Sequence, residues 1–110
     1  MSWGGIYGAI IPAVEGRVKV NVIVAGAIGR PALPPANAIN YVTRVKTPTL
    51  MLNGRYDRFL DSGIWPMFDL LGTPPEHRRL ILYETDHIPP RNEYIKETLA
   101  WLDKYLGPVR

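Results

Sequence analysis

Few side chains in this sequence can act as a nucleophile or general base near neutral pH: two serines, Ser2 and Ser62, two histidines, His77 and His87, and no cysteine. With no thiol present, covalent catalysis falls to a serine hydroxyl activated by an imidazole, with a carboxylate holding the imidazole in the right tautomer. Ser2, Asp57 and His87 fit those roles in that chain order. Ser2 precedes Trp3-Gly4-Gly5, which resembles the back half of a G-x-S-x-G turn, where a strand passes sharply into a helix and exposes the serine at the top of a sheet. In such a turn the Trp3 N–H, at the helix start, points at a developing oxyanion.

The other two residues follow apolar runs. Leu50-Met51-Leu52-Asn53-Gly54-Arg55-Tyr56-Asp57 reads as a buried strand running into a glycine and then an acid, and Leu80-Ile81-Leu82-Tyr83-Glu84-Thr85-Asp86-His87 repeats the pattern one crossover later. Both end at the carboxyl edge of a parallel sheet, where open α/β proteins gather their chemistry. Two adjacent strands thus present an acid and an imidazole side by side.

Each residue also has a plainer role open to it: a glycine-rich terminus for Ser2, a turn or helix cap for Asp57, a satisfied loop histidine for His87. Competitors for the reactive roles are weaker. Asp86 adjoins His87 and is badly placed to orient its ring, Asp61 and Ser62 fall at a helix start, and His77 precedes its strand and so lies at the opposite edge. Metal binding by His77 and His87 is implausible with a whole strand between them. No cofactor is implied.

The elements that must carry these groups read as alternating strands and helices, implying right-handed βαβ units. Strands are expected at Val18 to Ala25, Thr49 to Asn53 and Leu80 to Tyr83, apolar enough to be buried on both faces. The clearest helix is the last, with Asn92 as N-cap, Glu93 in the first turn, and Ile95, Leu99, Leu102 and Leu106 as its sheet-facing stripe. Gly107 and Pro108 end it. A second helix covers about Pro66 to Leu71, stopping at Gly72, with Phe68 and Leu71 as core contacts. A third starts after Ser2 and runs through Ile6, Ile10 and Ile11 until Pro12 and Gly16 end it. Its glycines, Gly4, Gly5 and Gly8, call for a close backbone approach. From Gly29 to Pro48, four prolines (Pro31, Pro34, Pro35, Pro48) mark an extended connection.

At 110 residues there is room for one domain, and 46% apolar with 21% charged residues is a globular composition. The net charge of +3 and pI near 9.4 invite an anionic partner. The basic residues are scattered, however, with only Arg78-Arg79 adjacent and no interleaved aromatics, which argues against nucleic acid. No apolar stretch approaches the ~20 residues of a membrane span, and no secretory signal is visible. A cytoplasmic protein is expected.

The motifs together resemble the C-terminal half of an α/β-hydrolase of the dienelactone-hydrolase and prolyl-oligopeptidase type. More narrowly, N-Y-V-T-R-V-K-T-P at Asn40 to Pro48, L-M-L-N-G-R-Y-D at Leu50 to Asp57, L-L-G-T-P at Leu70 to Pro74 and H-I-P-P-R-N-E-Y-I-K-E-T-L-A-W-L-D-K-Y-L-G-P-V at His87 to Val109 are similar to the hydrolase-like domain fused to bacterial serine/threonine protein kinases. The resemblance implies a truncated α/β fold over residues 1–110, about three parallel strands flanked by helices. It also implies Ser2 as nucleophile, Asp57 as acid, His87 as base and the Trp3 amide in the oxyanion hole, acting on a small-molecule ester or peptide. The elbow's first glycine, its strand and the loop for a second oxyanion donor are not in the sequence, and Asp86 stands where the family often has glycine. No kinase motif occurs. A second expectation therefore stands beside acyl transfer: a non-catalytic remnant or interaction module, self-associating through an exposed sheet edge.

Overall fold

Three apolar runs form one parallel sheet whose spatial order repeats the chain order: β1 (Asn21–Val24), β2 (Thr49–Gly54) and β3 (Arg78–Tyr83). Asn21 pairs with Thr49, and Thr49 with Arg78, so all three strands start and finish level with one another. The computed structural model describes residues 1–29 and 32–109. β1 is shorter than the apolar run from Val18 suggests. Its ladder opens with the Asn21 N–H on the Pro48 carbonyl, and Pro48 has no N–H to extend it backwards. At the other end Ala25 takes φ 54° and turns the chain away. β2 is buried along its whole length, whereas β3 is only half-buried and is not the doubly covered strand expected.

Side chains alternate across the pleat and divide the core in two. Ile23 and Met51 point to one face, where they meet Val42, Val45, Ile64 and Met67. Val24, Leu50 and Leu52 point to the other, under Trp101. That second layer is the last helix, α4 (Arg91–Leu106). It starts at Arg91, behind Pro90, with its first turn closed by the Tyr94 N–H on the Pro90 carbonyl; Asn92 lies inside it and does not cap it. Glu93 sits in the first turn and Gly107, at φ 81°, ends the helix as expected.

The helix lies on the sheet by a different face from the one its aliphatic spacing indicates. Trp101 is buried, with Tyr94 and Tyr105 packed beside it, while Ile95, Leu99 and Leu106 are 40%, 57% and 58% exposed. Aromatic rings bury more apolar area per residue than aliphatic chains, so they take the sheet even though their polar tips lower their hydropathy.

The amino-terminal helix is broken in two: α1 (Trp3–Ile6) and α2 (Ile11–Val14), joined by a single 3₁₀ turn. Pro12 does not end a helix but sits in the first turn of α2, where its missing N–H costs nothing. Among the described residues the connection between β1 and β2 is not extended throughout but holds three short 3₁₀ turns at Pro34–Ala36, Ala38–Asn40 and Val42–Arg44; Pro31 lies outside the described residues. In the β2–β3 crossover a π-helical turn, Leu60–Ile64, leads into α3 (Trp65–Leu70). Met67 and Leu71 are buried in the core and Phe68 packs against it, close to expectation. Asp61 and Ser62 lie within the π turn and neither caps it. Among the described residues no helix is long and apolar enough to cross a membrane.

Candidate active site

Ser2 has a backbone conformation that few side-chain-bearing residues adopt, φ 54° and ψ −123°. Such a conformation costs about 1–3 kcal/mol and persists only where its surroundings enforce it. Here the enforcement is visible. The Ser2 N–H donates to the Val24 carbonyl at 2.8 Å, and the Ser2 carbonyl accepts from the Gly5 N–H at 2.7 Å, so the serine is pinned between the open edge of β1 and the first turn of α1. The Gly5 backbone lies so close to Gly26 that a Cβ at Gly5 would stand 2.8 Å from the Gly26 Cα. This is the close approach expected at Gly5; Gly8 likewise lies against Ile23 of β1, whereas nothing lies within 4 Å of a Cβ at Gly4. Gly26 is held in turn by buried Asn53 of β2, whose side-chain amide donates to the Gly26 carbonyl at 3.0 Å.

Asp57 lies three residues beyond β2 and is 5% exposed. One carboxylate oxygen, Oδ1, accepts the Phe59 N–H at 2.9 Å, which leaves Oδ2 aimed across to the next strand. His87 lies four residues beyond β3. Its Nδ1 is 2.6 Å from Asp57 Oδ2 and its Nε2 is 2.8 Å from Ser2 Oγ. An ionised Asp57 can only accept, so Nδ1 carries the proton and Nε2 faces the serine O–H with its lone pair. The structure thus brings together all three side chains picked from the sequence. Trp3 is the first residue of α1, and its side chain is largely exposed beside Ser2.

The competing residues do not join this set. His77 is at the far end of β3, with Nδ1 2.9 Å from the Tyr105 hydroxyl. Asp86 and Ser62 line the cavity over Ser2 but bond to none of the three. Among the described residues no group of three or more metal-ligating side chains assembles.

The loops bearing Asp57 and His87 are fastened to each other by contacts that sequence reasoning missed. The Arg55 N–H donates to the Tyr83 carbonyl at 2.7 Å and the Tyr56 N–H to the Thr85 carbonyl at 3.0 Å, extending β2–β3 pairing past the strands. Glu84 accepts from Arg55 Nε at 2.7 Å and from the Tyr56 hydroxyl. Those two bonds, Tyr56 first, hold the Glu84 carboxyl below its ordinary range, and the same bond to Glu84 raises the Tyr56 hydroxyl. Beneath them Gly54 is indispensable. A Cβ there would stand 1.5 Å from the Asp86 carbonyl oxygen, so only a bare Cα lets the histidine loop cross the end of β2. The signal for this was the glycine three residues before Asp57.

Over the three side chains lies an open cavity of about 800 Å³. It falls within the ~300–1,000 Å³ range of small-molecule sites.

No protein-family model and no curated protein matches the sequence. Its structure is similar to that of a Klebsiella pneumoniae subsp. pneumoniae protein described as a dienelactone hydrolase, with a TM-score of 0.77 at 19% identity, covering 96% of this chain and 50% of that one. The chain therefore has the α/β-hydrolase fold over the half of that protein's length that it spans.

Proposed function

We propose that the chain is a serine hydrolase, carrying out esterase-like or peptidase-like acyl transfer through Ser2, His87 and Asp57. The observation that carries this reading is the unbroken hydrogen-bonded line from Ser2 Oγ through the His87 ring to Asp57 Oδ2. Ser2 Oγ attacks a carbonyl carbon as its proton passes to His87 Nε2. The imidazolium is stabilised by buried Asp57, and its proton then leaves with the departing alcohol or amine. Water, deprotonated by the same Nε2, attacks the acyl-serine, and the proton returns from Nε2 to Ser2 Oγ as the acid is released. The Trp3 N–H, first in the helix after Ser2, supplies a donor to the oxyanion. The positive φ of Ser2 supports the reading independently, since strain of this kind is characteristic of a nucleophile turn.

The test is covalent. A fluorophosphonate probe labels Ser2 in folded protein, located by peptide mass, and labelling disappears in Ser2→Ala. Folded protein that stays unlabelled while hydrolysing nothing supports the other reading, a non-catalytic interaction module with this fold.

A further inference from the structure

The groups around Ser2 also bear on what it acylates. Apolar side chains approach the serine from three directions. Trp3 and Ile6 come from α1, Ala27 and Ile28 from the segment after β1, and Phe59 from the loop after Asp57. Trp3 and Phe59 leave 67% and 37% of their surfaces exposed, so apolar area there is available for cover. The wall they belong to is built in advance, because the Ile28 N–H donates to the Gly63 carbonyl at 3.2 Å and ties the segment after β1 to the π turn.

The cavity's polar groups outside the reacting set, the uncharged Ser62 hydroxyl among them, favour neither sign of charge. Arg58 lies with its guanidinium 4.7 Å from the centre of the Phe59 ring, at the exposed rim. Asp86, also exposed, contributes the opposite charge to the same cavity. The Tyr56 hydroxyl is taken up by Glu84. The cavity thus offers a carboxylate one cation and one anion, whereas it offers an alkyl chain Ile6, Ala27, Ile28 and Phe59.

From this we infer that the substrate is an uncharged ester or amide whose acyl group is an aliphatic chain longer than acetyl, laid against Ile28 and Phe59. The inference rests on Ser2 being the nucleophile for its reaction, but not for its binding.

Two measurements on the whole chain separate the two claims. With p-nitrophenyl acetate, propionate, butyrate and the singly charged p-nitrophenyl hemisuccinate, kcat/KM rises about threefold per added methylene. Hemisuccinate falls below butyrate. In parallel, a ¹H–¹⁵N titration with butyramide moves the Trp3 indole and the Ile28 and Phe59 amides, and succinamate moves them less. A flat ester series, a preference for hemisuccinate, or butyramide shifts elsewhere in the chain overturns the inference, even if Ser2 is labelled. Butyramide shifts at these three residues in a chain that hydrolyses none of the esters uphold the binding inference and sink the proposed reaction.

Discussion

Ser2 Oγ and His87 Nε2 are 2.8 Å apart although 85 residues separate them in sequence. Nothing local brings them together. Ser2 is held by the edge of β1, His87 by the end of β3, and β2 lies between with Asp57 beyond its end. The placement of Ser2 against His87 therefore depends on the whole sheet.

Ser2→Gly and Ser2→Ala both remove the hydroxyl and abolish fluorophosphonate labelling. They differ in stability. Glycine tolerates φ 54° where alanine keeps the Cβ, so Ser2→Gly unfolds at higher urea, by about 1 kcal/mol over Ser2→Ala. Equal midpoints would show that the turn stores no strain.

Asp57→Asn keeps the volume of the side chain, but its amide favours the wrong imidazole tautomer. The rate of Ser2 labelling falls on the order of 10³–10⁴-fold. The same variant loses the low-field proton resonance of the His87 Nδ1–H, a signal that reports the bond directly and needs no turnover. A resonance unchanged in Asp57→Asn would detach Asp57 from the histidine.

Gly54→Ala forces a Cβ to within 1.5 Å of the Asp86 carbonyl unless the histidine loop moves. Overpacking of this kind costs about 1–3 kcal/mol, seen as a lower urea midpoint. Because the displaced loop carries His87, labelling slows at least tenfold in the fraction that stays folded. Wild-type labelling in Gly54→Ala would mean that the loop rides over β2 without needing that clearance.

Glu84 gives a pH signature. Its carboxyl is held low by Tyr56 and Arg55, so the support it lends the two loops is complete above the ordinary carboxylate range and is lost as pH falls through the lowered value. Tyr56 is raised, so its O–H bond to Glu84 is present below the ordinary tyrosine value near 10 and is lost only as pH climbs through a higher one. In Glu84→Gln the Tyr56 titration, isolated by difference from Tyr56→Phe at 295 nm, shifts back down toward its ordinary value. An unmoved titration would exclude the bond.

On α4, Trp101→Ala lowers stability by about 3–5 kcal/mol, whereas Leu99→Ala changes it by less than about 0.5 kcal/mol, both read from urea midpoints. The opposite ranking would mean that the aliphatic stripe faces the sheet.

That contrast also marks how far sequence reasoning reaches. The strands and the three side chains of the candidate site were legible because parallel strands covered by helices read as continuous apolar runs, and the residues just past their ends fall at one edge. The face of α4 was not, because Ile95, Leu99 and Leu106 and the aromatic set Tyr94, Trp101 and Tyr105 both recur at helical spacing. Only packing against Leu50 and Leu52 decides between them. The break between α1 and α2 was hidden for a related reason: Ile6, Ile10 and Ile11 keep helical period across a turn that is 3₁₀ in fact. The fastening of Arg55 and Tyr56 to Glu84 joins residues about 30 apart, with no local signal to announce it.

Sheet order matching chain order also has a bearing on time. Asn21 meets Thr49 across 28 residues and Asp57 meets His87 across 30, whereas Ser2 must find His87 across 85. The entropy of closing a loop grows with its length, and the Ser2 N–H reaches its own anchor, the Val24 carbonyl, across only 22 residues. His87, carried on β3, then completes the site, and the appearance of probe-reactive serine during refolding is a clock for that step.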